Sequence, residues 1–187
     1  MTPREIISLH SRGLAMSARS MSLFRFVPSS DLQRSSSPDY LFTSGNPGRF
    51  NPKGVLAFYA SEDAATAGAE FDLRCAQLGK RCEQVVYAVE ATAPLLDLAD
   101  RKARAAVNLS DKSLFDSWIL AATPTPTQQL GAAVGGQSRV GGIRYPSYAA
   151  KKRGFDGFNV VLFKKSIIAP SSVSVFDAQG KLLQSWP

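Results

Sequence analysis

The chain has 187 residues, of which 44% are hydrophobic and 20% charged, a composition typical of one folded globular domain rather than of a disordered chain. Its formal net charge of +7 suits an anionic partner such as a nucleic acid, a membrane surface or a phosphorylated small molecule, or serves solubility alone. Cys75, Cys82 and the single histidine, His10, are too few and too scattered to predict a zinc site or a histidine-based triad.

Charge runs and apolar runs narrow the choice of partner further. The chain has no run of five Lys or Arg residues and no zinc-finger or RNA-binding signature, which makes a nucleic acid the weaker choice. Residues 1–20 lack the apolar core of a signal peptide, and no apolar run approaches the roughly 18 residues of a membrane span. We therefore expect a soluble cytoplasmic protein with free thiols and no membrane partner; export by a non-classical route would leave no readable trace.

The first elements in chain order are a helix and a strand. Residues 3–15 are predicted to form a short amphipathic helix, so residues 1–21 are interpreted as a helical extension ahead of one domain at 22–187. Residues 22–27, Ser-Leu-Phe-Arg-Phe-Val, alternate as a strand does, and Pro28 ends it. Residues 28–48 are rich in Ser, Pro, Gly and Asp and predict a long irregular loop, a kind of segment that is often functional.

A strand followed by a helix is predicted next. Residues 55–60 form a short apolar strand, and Ser61 is expected to be the N-cap of a helix whose first turn holds Glu62 and Asp63. Apolar residues then recur at helical spacing as far as Gly79, which can end the helix.

The remaining pattern mixes short strands and helices irregularly, which favours an α+β fold of a single domain. The predicted elements are strands at 84–91 and 95–98, helices at 99–107 and 111–122, one helical turn near 128–134, a helix at 145–152, a strand at 158–163 and a hairpin of 173–176 with 181–186.

Residues 48–54, Gly-Arg-Phe-Asn-Pro-Lys-Gly, could be a surface turn with a solvated arginine or a phosphate-binding turn in which Arg49 contacts a pyrophosphate. The following strand brings Tyr59 to its end. The next helix carries Glu70, beside small residues and bordering the apolar stripe. Glu70 is expected either to pair with Arg74 four residues on or to face a cleft beside the first strands.

The run GRFNPKGVLAFYASEDAATAGAE at 48–70 resembles the signature of RES-domain proteins, a family named for its arginine, glutamate and serine. Phe-Arg-Phe at 24–26 resembles the early aromatic and arginine strand of that family. Gly-Ile-Arg-Tyr-Pro-Ser at 142–147, followed by Asn-Val-Val-Leu-Phe at 159–163, resembles its late segment with the serine. Order and spacing match from about residue 22 to residue 165.

The resemblance implies an ADP-ribosyltransferase-like fold with a mixed, split β-sheet core and flanking helices, and a RES-like NAD-binding catalytic domain at 22–187. It implies NAD as substrate, with no cofactor or metal beyond it. Family members are typically bacterial toxins of toxin–antitoxin pairs with an Xre-like antitoxin, so a cognate antitoxin or immunity protein is expected. Two reactions stay open: cleavage of the nicotinamide–ribose bond by a glycohydrolase or phosphorylase, and transfer of ADP-ribose to a protein or nucleic acid. A non-enzymatic basic interaction module is the third hypothesis.

The residues assigned to the site follow from matching these motifs. The expected catalytic residues are Glu70, Arg25 and Ser147, and the expected NAD-binding residues are Arg49, Tyr59, Asn51 and Arg144. Glu70 would place a negative charge near the cationic transition state, the arginines at 25 and 49 would hold the pyrophosphate, and Tyr59 would wall in the nicotinamide. Each residue also has a structural alternative: an ion pair for Arg25, an aromatic core position for Tyr59, a helix cap for Ser147, a turn position for Asn51 and a solvated surface position for Arg144.

Overall fold

The computed structural model describes residues 18–32, 41–43, 45–79, 81, 83–119, 121–136 and 140–187. The helix predicted at 3–15 lies outside these residues. The first strand begins at Ala18, so the last four residues of the predicted 1–21 extension belong to the sheet. Among the described residues, no helix has the length and apolar character that crossing a membrane requires.

Seven strands form one sheet. Their bounds are β1 Ala18–Pro28, β2 Ala57–Ser61, β3 Gln84–Asp97, β4 Gly142–Pro146, β5 Phe158–Phe163, β6 Ser172–Phe176 and β7 Leu182–Trp186. The helices among the described residues are α1 Ser29–Leu32, α2 Ala64–Gln77, α3 Arg101–Ala106, α4 Asp111–Phe115, α5 Pro126–Gly135 and α6 Tyr148–Lys152, with a 3₁₀ turn at Lys164–Ser166.

The sheet is mixed and closes on itself. The strand order is β1-β2-β5-β4-β3-β6-β7, and β1 also pairs with β3 along its whole length. The β3–β4 pair is parallel, whereas β2–β5 and β4–β5 are antiparallel. Strands β1 and β2 meet at one pair, Phe24 with Ser61. The prediction of an α+β fold built on a mixed sheet is confirmed.

Two apolar clusters lie on the two faces of the central strands. Side chains alternate between faces along a strand, so Ala57, Val161 and Ile143 join the cluster beneath α3–α5. Phe58, Val160 and their neighbours join the cluster of β1, β3 and β6. The first of these clusters includes Tyr145, and Tyr59 packs against it.

Two predicted boundaries are wrong because pairing and capping override local pattern. Ser61 is not the N-cap of α2: it pairs with Asn159 as the last residue of β2. The cap is Asp63, which accepts hydrogen bonds from Thr66 N and Thr66 Oγ1 at 2.7 Å each. The strands predicted at 84–91 and 95–98 are one strand, β3. Its Pro94 lies between the end of the β6 pairing at Thr92 and the start of the β4 pairing at Leu95, where a missing N–H costs least.

Other helices differ in length from their predictions. The predicted turn near 128–134 is the ten-residue helix α5, which begins with Pro126 after Thr125 and has a capping box with Gln128, a start signal visible in the sequence. The helix predicted at 111–122 is only α4, capped by Ser110. Tyr145 belongs to β4, and the helix after it begins at Tyr148 with Ser147 as its N-cap. The predicted hairpin of β6 and β7 is present.

Candidate active site

The centre of the site is Glu70, which α2 presents between the ends of β4 and β5. Its Oε1 accepts a hydrogen bond from Ser147 Oγ at 2.7 Å and another from Asn159 Nδ2 at 2.7 Å. Its Oε2 makes no hydrogen bond to any described residue. The bond to Arg74 considered from the sequence is not formed in the described structure. One oxygen is therefore fixed by two neutral donors, whereas the other has no partner among the described residues.

Ser147 is the helix cap that was its structural alternative, and it also binds Glu70. It is 1% exposed and caps α6, where its Oγ accepts from Ala150 N at 3.0 Å. The same hydroxyl donates a hydrogen bond to Glu70 Oε1. A serine hydroxyl has one proton and two lone pairs, so the cap bond fixes the hydroxyl and directs its proton to the carboxylate.

Asn159 is a site residue that the sequence reasoning did not assign. It is 5% exposed, and its Oδ1 accepts from Ser61 Oγ at 2.7 Å. That bond fixes the orientation of the amide, because the oxygen faces Ser61 and the nitrogen must then face Glu70. A signal was present in the sequence: an amide inside the apolar strand Phe-Asn-Val-Val-Leu-Phe needs buried partners.

The turn at 48–54 is held by Asn51, which is fully buried. Its Nδ2 donates to Asn46 O at 2.7 Å and to Val55 O at 2.9 Å, and its Oδ1 accepts from Tyr59 Oη at 2.9 Å. Every polar atom of this amide thus binds the protein itself, which favours the turn position over the ligand position for Asn51. Gly48 is required here, because a Cβ would lie 2.5 Å from Asn51 Oδ1 and 2.8 Å from Tyr59 Oη.

Tyr59 takes the aromatic core position that was the structural alternative for it, and its predicted contact with nicotinamide stays a prediction. Its ring packs beside the cluster beneath α3–α5, while its hydroxyl donates to Asn51 and accepts from Phe50 N at 2.8 Å. Burial raises the pKa of Tyr59 far above its ordinary value, and the nearby charges of Arg49 and Arg25 lower that pKa only in part. The hydroxyl therefore stays protonated and secures the turn.

Arg49 joins the turn to the helical layer. Its Nη1 donates to Leu114 O at 2.7 Å and to Asp116 O at 3.0 Å. The same turn is held from another side by Gln128 Nε2, which donates to Gly48 O at 2.9 Å. The hydrogen bonds of Arg49 to described residues use Nη1 alone, so Nη2 and Nε are available for an anionic ligand.

Arg25 lies on β1 opposite Tyr87 and is partly buried. The residue before it, Phe24, forms the contact between β1 and the end of β2. The positive charge of Arg25 lowers the pKa of both Tyr59 and Tyr145, which places the guanidinium within electrostatic reach of both phenols. Arg49 acts on the same two phenols, and Glu70 acts on that of Tyr145, so Arg25, Arg49 and Glu70 all lie within electrostatic reach of Tyr145.

Arg144 is neither solvated nor directed at this group. It lies on the opposite side of β4 from Tyr145, and its Nε and Nη2 donate to the two oxygens of Glu62 at 2.8 Å each. Its Nη1 contacts Asp97 at 3.1 Å, and its guanidinium covers the Phe158 ring at 3.8 Å. The hydrogen bonds that Arg144 donates to Glu62 raise the pKa of Arg144. Two carboxylates therefore bind the guanidinium of Arg144. The solvated surface position, which was the structural alternative for Arg144, is not what the structure shows.

A cleft of about 300 Å³ opens beside Ser147. The side chains that form its walls include Phe115, Lys151 and Phe158, with Arg104 and Asp111 at another side. Arg104 binds the carbonyl oxygens of Leu98 and Ala99 as well as Asp111. Its positive charge is therefore paired within the wall of the cleft. The cleft gives solvent access to the edge of the site where α6 begins.

Comparisons of this chain with protein-family models and with solved structures agree with this architecture. The model of the RES domain matches residues 23–182, and the chain belongs to the RES-domain family. Its fold is similar to that of a chain in the crystal structure of the M. tuberculosis MbcT–MbcA toxin–antitoxin complex, with a TM-score of 0.62 and 19% sequence identity over 98% of this chain and 89% of that chain. At this identity the likeness concerns the fold. The chain matches no curated protein.

Proposed function

We propose that this protein is a toxin that breaks the nicotinamide–ribose bond of NAD and so depletes the cell of NAD. The observation that carries the proposal is the state of Glu70: one carboxylate oxygen is fixed by Ser147 and Asn159, and the other has no partner among the described residues. Membership of the RES family supports the substrate, because the sequence motifs of that family are the ones that bring these residues together.

The chemistry requires a negative charge more than it requires an acid. When the bond breaks, its electron pair passes to the nicotinamide nitrogen, which is cationic beforehand and neutral afterwards, and positive charge develops on the ribose. A carboxylate held beside the ribose stabilises that charge in the transition state more than in the ground state. Neutral donors such as Ser147 and Asn159 fix Glu70 without cancelling its charge. Water or phosphate then adds to the ribose carbon.

The two arginines provide a means of holding the anionic part of NAD. Arg49 has Nη2 and Nε available, and Arg25 lies within electrostatic reach of the same tyrosines. In this proposal both guanidiniums bind the pyrophosphate, which Arg does with good geometry. Asn51 and Arg144 support the site by holding the turn and the strand ends, and do not contact the substrate.

The test is incubation of the purified protein with NAD, with measurement of released nicotinamide and separation of the products, with and without phosphate. We expect Glu70→Gln to reduce kcat/KM by about 10²–10³-fold, the size of effect seen when a group that stabilises transition-state charge is removed. Glu83→Gln, at an exposed position, is the matched control. No turnover by the unaltered protein, or equal turnover by the Glu70 variant, would disprove the proposal.

The same assay separates hydrolysis from transfer. With NAD labelled in the adenine half and a bacterial lysate, a glycohydrolase yields labelled ADP-ribose, and a phosphorylase yields ADP-ribose 1″-phosphate when phosphate is present. Label on a protein or nucleic acid would instead favour the ADP-ribosyltransferase alternative, which uses the same residues.

We also propose a cognate antitoxin. A chain of similar fold comes from a toxin–antitoxin complex, and uncontrolled loss of NAD would harm the producing cell. Expression of this chain alone should arrest bacterial growth, whereas co-expression with the product of an adjacent gene should restore it. The Glu70→Gln variant should not arrest growth. If no adjacent gene product relieves arrest, the antitoxin proposal fails while the enzymatic one stands.

A further inference from the structure

Tyr145 lies in the same row of side chains as the residues that fix Glu70. In the antiparallel ladder, Ser61 is opposite Asn159 and Asn159 is opposite Tyr145. Directly opposed residues point to the same face, with Cβ atoms about 4.5–5.5 Å apart. Ser61, Asn159 and Tyr145 therefore form one row across β2, β5 and β4. Ser61 binds Asn159, and Asn159 binds Glu70. Tyr145 has no assigned role.

The ring and the hydroxyl of Tyr145 differ in how they are satisfied. The residue is 6% exposed, and its ring packs on Phe50 with 4.6 Å between the ring centroids. Its hydroxyl makes no hydrogen bond to any described residue, and its oxygen is not sealed from solvent. A buried tyrosine hydroxyl normally has a partner, so this one is placed for a partner from outside the described residues.

The surroundings of the hydroxyl are those of the substrate site. Glu70, Tyr59, Arg49 and Arg25 all act electrostatically on Tyr145. Tyr59 differs from Tyr145 in that both hydrogen-bonding directions of its hydroxyl are used by the turn. Burial raises the pKa of Tyr145 well above its ordinary value, so the phenol keeps its proton and can act as a donor at neutral pH.

We propose that Tyr145 contacts the substrate directly, its hydroxyl donating a hydrogen bond to an oxygen in the nicotinamide–ribose half of the dinucleotide. This inference rests on the proposed function. Glu70 and Tyr145 would then hold the two sides of the bond that breaks, one as a charge and one as a neutral donor. The pyrophosphate and the adenine half lie with the arginines and are not contacted by this phenol.

The experiment compares the unaltered protein with Tyr145→Phe, which keeps the ring against Phe50 and removes only the hydroxyl. The matched control is Tyr148→Phe, on an exposed tyrosine of α6. One net hydrogen bond between neutral groups predicts a decrease in kcat/KM for NAD of about three- to tenfold, with no change for the control and unchanged thermal unfolding for both.

Competition against NAD then shows which half of the substrate Tyr145 contacts. Inhibition by nicotinamide mononucleotide should weaken in Tyr145→Phe by about the same factor, whereas inhibition by ADP should not change. Turnover by both proteins within about twofold of each other would overturn this inference and leave the proposed function intact. Equal weakening of both inhibitors would overturn the assignment to the nicotinamide half. Absence of NAD turnover in the unaltered protein would overturn both proposals.

Discussion

Two polar clusters lie on opposite faces of the same strand ends. Each contains a partly buried charge, and the two charges have different kinds of partner. On one face, Glu70 receives hydrogen bonds from the neutral groups of Ser147 and Asn159. On the other, Arg144 is matched by the carboxylates of Glu62 and Asp97. Opposite charges cancel, whereas neutral donors fix a charge and leave its field in place. The first arrangement suits chemistry and the second suits support.

Among the residues that surround the two charges, the largest effect is expected from placing a second charge in the neutral cluster. Asn159→Asp is nearly isosteric but removes the Nδ2 donor and puts a second carboxylate against Glu70. Because like charges disfavour ionisation of the pair, the acid limb of the pH–rate profile should move to higher pH, and activity at pH 7 should fall by about 10²-fold. The measurement is kcat/KM for NAD from pH 5 to 9. An unshifted acid limb would show that the carboxylate pair does not control the reaction.

A smaller effect on stability is expected from breaking the charged cluster. Loss of one partner of a fully buried ion pair costs about 3–5 kcal/mol. Because the side chain of Asp97 is 43% exposed, solvent reduces the cost, and we expect Arg144→Met to lower the free energy of unfolding by about 1–3 kcal/mol. Denaturant unfolding measures it.

The control for that prediction is Arg153→Met. The Arg153–Asp72 pair has a similar separation of 2.8 Å but side chains 50% and 55% exposed, so its loss should cost less than about 1 kcal/mol. The folded fraction of the Arg144 variant should cleave NAD within a few-fold of the unaltered protein. A loss of activity as large as that of Asn159→Asp would contradict the division of roles between the two clusters.

The smallest effect is expected at Ser61, which acts only through Asn159. Ser61→Ala removes one buried hydrogen bond and leaves the amide free to rotate by half a turn, so that its oxygen can face Glu70. We expect kcat to fall by about two- to tenfold, with KM for NAD unchanged, because Ser61 does not touch the substrate. Ser20→Ala, on an exposed serine of β1, is the control. A change confined to KM would indicate that Ser61 contacts the ligand itself.

The sequence predicted the parts of this site that lie within one segment. The turn at 48–54, the strand with Tyr59 and the helix with Glu70 follow one another in the chain, so that local pattern and motif locate them. Ser147 was predicted from its motif, and its capping role from its position after Pro146. The fold class could be predicted for the same reason, because local patterns gave the correct type for most strands and helices.

What the sequence did not predict depends on pairing between distant segments. The role of Asn159 requires the register that sets it opposite Ser61, 98 positions away. Tyr145 was interpreted as helical because Pro146 can begin a helix, but pairing with β5 extends β4 through that proline, whereas pairing with β3 ends at Arg144. Arg144 lies three residues before Ser147 in the motif, yet strand alternation directs its side chain to the face opposite that of Tyr145. Side-chain direction, rather than residue type, was the missing information.

The contact between Arg49 and the helical layer has a consequence for how this family can diversify. The acceptors are main-chain oxygens of residues 114 and 116, which every amino acid supplies. Position 116 is exposed, so a change of its side chain leaves the main-chain acceptor of Arg49 in place. New surface chemistry can thus be placed at position 116 without loss of the hydrogen bond that Arg49 donates there.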